Sequence, residues 1–99
     1  MTLVDELKSR LRITWNDEDA DLLKTIERSK SYLVELTGAA FNFEKSDWVK
    51  DLLLEHCRYS YNNASDEFEI NFGHELKRLI LHVALGKVVT VGGKESTSP

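Results

Sequence analysis

A metal site or a nucleophile in this chain would have to be built on His56, His74, His82 and Cys57, its only histidines and its only cysteine. No two of the histidines stand three or four residues apart, the spacing that sets two metal ligands on one face of a helix. His56 and Cys57 are neighbours, so on a helix their side chains diverge by about 100°. A base directed that way does not reach the thiol, and no third group presents itself to orient the base. With so few soft ligands a metal site has little support. A lone cysteine inside an apolar helix is expected to be a buried, inert thiol, and it can form no internal disulfide. Asp17, Glu18, Asp19 and Asp21 suggest a calcium loop but lack the glycine at its sixth position and the distant bidentate glutamate. The five glycines form no phosphate-binding loop, since no Gly-Lys-Ser or Gly-Lys-Thr follows a strand. These patterns predict no catalytic, cofactor-binding or metal residue, and no cofactor.

The elements that carry these residues are helical. The stretch from Ile13 to Asp21 is the best-marked helix start: Asn16 or Asp17 can accept from the unpaired amides of a first turn, and the carboxylates behind them face the positive end of the helix dipole. From there Leu22, Leu23, Ile26, Leu33 and Leu36 recur at helical spacings, with Ser29 on the same stripe, so one face is predicted to be buried. Gly38 suits a left-handed close, and a helix over 17–37 is ~32 Å long. Ahead of it, Thr2 and Asp5 form a capping-box pair for a helix over 2–12 with Leu3, Leu7 and Leu11 on one face. Trp15 is predicted to staple onto the first turn of the long helix.

Ser46 is placed to cap a third helix over 47–61. Its polar residues Asp47, Asp51, Glu55, Arg58 and Asn62 draw one narrow stripe, and the remaining sides are largely apolar. Such a helix is either central in a domain or shared between domains. A chain this short has barely enough material to cover it, which predicts a neighbouring subunit against Trp48, Leu54, Tyr59 and Tyr61.

Two connecting segments stay open. Phe41 and Phe43 either lie back on the core or meet a partner, and burial worth about 1.5–3 kcal/mol each favours the core. Phe68, Ile70 and Phe72 alternate as in a strand, whereas the Phe68 to Phe72 spacing suits a turn or two of helix. With no second strand to pair with, 65–72 is predicted to be irregular or briefly helical. A last helix over 73–86 follows, with Leu76, Leu79, Ile80 and Val83 facing the core. Beyond it, Val88, Val89 and Val91 lead into a glycine- and serine-rich end expected to be flexible. The valines either add to the sheet or groove of a partner or cover the end of the helical core. The predicted fold is all-α, a small bundle of about four helices in one domain, 1–86, with a flexible tail, 87–99.

At 99 residues the chain buries only about two-thirds of its unfolded surface. Its 41% hydrophobic and 30% charged content carries no disordered, collagenous or membrane bias. No apolar run approaches the roughly 20 residues that span a bilayer, and the acidic start (Asp5, Glu6) lacks the basic and apolar regions of a signal peptide. The protein is therefore expected to stay in the compartment where it is made, with no membrane partner. A net charge of -4 and scattered basic residues argue against binding driven by phosphate contacts. Lys77, Arg78 and His82 are too few for a DNA-recognition helix. Lying beside DNA without gripping it is compatible with these charges.

Taken in order, Leu7-Lys8-Ser9-Arg10-Leu11-Arg12-Ile13, the acidic Asn16-Asp17-Glu18-Asp19, Tyr32-Leu33-Val34-Glu35-Leu36-Thr37-Gly38, the run from Leu52 to Ala64 and the run from Asp66 to Phe72 resemble the head-tail connector, or head-completion adaptor, proteins of long-tailed bacteriophages. The resemblance covers residues 3–86. It implies a structural subunit, without catalytic residues, that assembles about twelve copies at a time into a ring beneath the portal protein. Such a ring extends the DNA channel, in passive proximity to the DNA, and docks the next head-completion or tail protein. It implies a place at the virion head-tail joint after synthesis in the host bacterial cytoplasm. Under this resemblance the third helix lies partly against neighbouring copies, and Val88, Val89 and Val91 engage the portal. Two other readings compete with it. One is a small cytoplasmic helical adaptor that binds a protein partner without forming a ring, and the other is an enzyme or metal protein built on His56, Cys57 and His74.

Overall fold

Thr2 opens helix α1 (Leu3–Leu11) through the predicted reciprocal cap: its hydroxyl accepts from the Asp5 N–H at 3.1 Å, and the Asp5 carboxylate accepts from the Thr2 N–H at 3.4 Å. Arg12, in the left-handed region with φ 61°, ends the helix by donating to the Lys8 and Ser9 carbonyls. The protein is seen here as a computed structural model that describes residues 2–43 and 47–86. The predicted Ser46 cap and the tail valines Val88, Val89 and Val91 lie outside the described residues.

Helix α2 (Asp19–Thr37) buries Leu22, Ile26, Ser29 and Leu33 of the predicted stripe but leaves Leu23, about 100° round the helix from Leu22, 50% exposed, and Gly38 closes it at φ 73° with its N–H donating to Val34 O at 2.7 Å. Its start differs from the expectation. Neither Asn16 nor Asp17 caps the helix, because the Asn16 side chain accepts from Lys8 Nζ at 2.7 Å and the cap position falls on Glu18, which makes no side-chain cap bond. Trp15 does not staple. It stays 48% exposed, held by its indole N–H donating to Glu18 at 2.7 Å.

Helix α3 (Asp47–Tyr61) has the predicted bounds. Asn63, left-handed at φ 57°, and the Ala64 N–H donating to Tyr59 O turn the chain into helix α4 (Ser65–Ala84). This last helix begins eight residues earlier than predicted. Residues 65–72 are neither strand nor irregular, because Phe68 and Phe72 extend the buried stripe of Leu76, Leu79 and Val83 by two turns. Gly73, which looked like a boundary, sits inside the helix. Its cost there of about 1 kcal/mol is smaller than the stabilisation from burying one phenylalanine.

Helix α3 packs against each of the other three helices, and α2 does likewise. The side chains of Val49, Leu52, Leu53, Leu54 and Cys57 are buried, an arc of about 200° at 100° per residue. Helices α1, α2 and α4 of the same chain cover that arc, Leu54 within it, where the sequence predicted a neighbouring subunit against part of this helix. Phe41 and Phe43 lie on the core as favoured, in edge contact with centroids 5.6 Å apart. The polar stripe of α3 is used by α1. Arg10 donates to Asp51 and to Glu55, both at 2.6 Å, and Glu55 also accepts from Arg58. Among the described residues no helix is long and apolar enough to cross a membrane.

Candidate assembly surfaces

Of the four α3 residues expected at a subunit interface, Leu54 is buried, Trp48 and Tyr59 are half-buried and Tyr61 is exposed. Leu54 is fully buried, so it presents nothing to a neighbour. Trp48 is engaged by α4, with its indole N–H donating to Glu75 at 3.2 Å, His82 against its ring at 5.4 Å and the Arg78 guanidinium over it at 5.5 Å. Tyr59 lies edge-on to Phe68 and Phe72, and its hydroxyl accepts from Asn71 at 3.0 Å. Tyr61 alone remains exposed, at 37%.

Of the residues first weighed for chemistry, Cys57 is buried, His56 is half-buried, His82 is half-buried against Trp48, and His74 stands exposed on α4. Ser29 Oγ and His56 Nδ1 are 2.7 Å apart, the reach of a nucleophile and its base. Ser29 is sealed beneath the ring, however, with Tyr32 stacked on His56 at 4.4 Å and Phe68 edge-on at 4.9 Å. The carboxylate nearest this pair, Glu69, accepts from Tyr32 at 2.7 Å rather than orienting the imidazole. Burial pushes the His56 pKa down, against the opposing charge of Glu69, so the buried ring is held neutral. Burial likewise pushes the Cys57 thiol up to about 11, and its Sγ faces Thr25 O at 4.0 Å. That is the inert thiol expected from sequence. His56 and Cys57 thus serve the packing of α3 against α2. Among the described residues no three metal-ligating side chains gather.

Glu55 shows how charge is handled between helices. Burial alone would raise its carboxyl, but hydrogen bonds from Arg58 and Arg10 outweigh that and hold it below the usual carboxylate range. The pairing fixes α1 across α3. Lys8 does the same between α1 and α2, donating to Asp19 at 2.8 Å.

Among the described residues the large apolar side chains left exposed are Trp15, Leu23, Tyr61, Ile70, Ile80, Leu81 and Leu85; of these the sequence reading had placed Ile80 on the core face, whereas the structure leaves it 38% exposed, and had flagged only Tyr61 as a contact surface. On α4, Leu81 and Leu85 are 56% and 58% exposed. With Ile70 they fall within about 60° of one another on the helix wheel, on the side away from Phe68 and Leu79. At the opposite end, Glu18 accepts from Trp15 through one carboxylate oxygen and from the Tyr61 hydroxyl, at 2.9 Å, through the other. One side chain thereby holds two surface rings from segments 46 residues apart in sequence (61 − 15). A signal for this clamp existed in the placement of Trp15 three residues before Glu18, but the link to Tyr61 is tertiary.

The geometry describes a helical protein whose polar and reactive groups hold helices together. No curated protein and no solved structure matches the chain. A known family does: residues 1–98 match the phage gp6-like head-tail connector proteins. The match spans nearly the whole chain and agrees with the resemblance carried by its motifs, so this protein belongs to the phage gp6-like head-tail connector family.

Proposed function

We propose that the protein is the structural subunit of a ring that sits beneath the phage portal, extends the DNA channel and docks the next head-completion or tail protein. The observation that carries this reading is the family match over residues 1–98. The fold supports it in two ways. Ion pairs from Arg10 and Lys8 tie α1 to α3 and α2, and hydrogen bonds from Tyr32 and Trp48 to Glu69 and Glu75 tie α4 to α2 and α3, which suits a wall element. The net charge of -4 suits a channel that DNA passes, because a lining that held phosphates tightly would impede it. In this reading residues 1–86 form the ring body, and the tail 87–99, through Val88, Val89 and Val91, engages the portal.

The test is to add the purified chain to the portal of the same phage and measure the mass of what forms. The expected result is a ring bound to the portal, with attachment weakened when the chain is cut after Gly86. A stable one-to-one complex with an unrelated host protein, and no portal binding at any ratio, would remove the ring reading in favour of a small adaptor. Unchanged attachment of the truncated chain would remove the role of the tail alone.

A further inference from the structure

We draw no further inference here: the strongest candidate, the apolar groove between the second half of α2 and the segment 39–43, lined by Val34, Ala40, Phe41 and Phe43, is an unpartnered apolar face, and nothing in the structure shows what covers it.

Discussion

Leu54 and Tyr61 stand seven residues apart on α3, and truncating each to alanine should give opposite phenotypes. Leu54 has no exposed surface, and its helix is enclosed by α1, α2 and α4, so the wall around the missing atoms has little freedom to collapse. Loss of the leucine beyond Cβ removes transfer free energy of ~0.8 kcal/mol per methylene-sized group and leaves a cavity, for a total of about 3–5 kcal/mol. In a domain of this size each kcal/mol lowers Tm by roughly 4–8 °C, so Leu54→Ala should melt at least about 12 °C below wild type. Tyr61→Ala removes a 37%-exposed ring and one hydrogen bond to Glu18 in contact with solvent, where water replaces the lost partner. Its melt should stay within a few degrees of wild type, while its assembly with other copies should be lost. Urea unfolding with the slope held common gives the free energies, and melts at a low and a high protein concentration give the decisive control. If a neighbouring subunit rather than the chain itself covered Leu54, the loss would shrink on dilution of the wild type. A Leu54→Ala cost below about 1.5 kcal/mol, or one that varies with concentration, would refute the enclosure of α3 by its own chain.

Four further outcomes are expected. Arg10→Ala should cost about 1–2 kcal/mol in urea unfolding, most of it from the partly buried Glu55, because the exposed Asp51 contact is screened by solvent. A cost indistinguishable from zero would show that the α1–α3 bridge holds nothing. His56 has a folded pKa below its ordinary value. Below pH ~6.5 the unfolded chain therefore binds a proton that the folded chain refuses, and stability should fall with pH from there down to the folded pKa. His56→Gln should flatten that part of the profile; the Glu55 contribution, with its lowered pKa, is lost only in the carboxylate range at lower pH. Gly73→Ala should stabilise by about 0.5–1 kcal/mol, since nothing lies within 4 Å of the added Cβ and the site is mid-helix; a loss would mean that this face of α4 is not open. Cys57 should resist iodoacetamide at pH 8 until the protein is unfolded, its thiol being buried and pushed up to about 11, whereas labelling at the rate of a free thiol would place it on the surface.

What the sequence made legible was local. The Thr2–Asp5 cap, the Gly38 close and the α2 stripe with Ser29 on it follow from spacing within one or two turns, and each is present. The function of Ser29 was not legible, because its partner His56 lies 27 residues away on another helix. The start of α2 was misplaced for the same reason: Asn16 is a good cap in isolation, yet Lys8 claims its side chain, and the cap position falls on Glu18, whose carboxylate is taken by Trp15 and Tyr61. Propensity near a helix start yields to tertiary hydrogen bonds of equal or greater strength.

The expected subunit interface on α3 and the misjudged start of α4 have one cause. The third helix was correctly seen to be apolar around most of its circumference, and the chain seemed to lack the material to cover it. That material is the stretch 65–72, whose alternating Phe68, Ile70 and Phe72 suggested a strand and, for want of a second strand, irregular or briefly helical structure. As two turns of helix it sets Phe68, with no exposed surface, and Phe72 against Tyr59, and brings Phe68 onto His56. The same two turns rotate Ile70 outward, where it is 79% exposed, because a residue two places from a buried one on a helix lies about 200° away. Extending α4 therefore moves the free apolar surface from the middle of α3 to the outer face of α4 and to the Tyr61 tip.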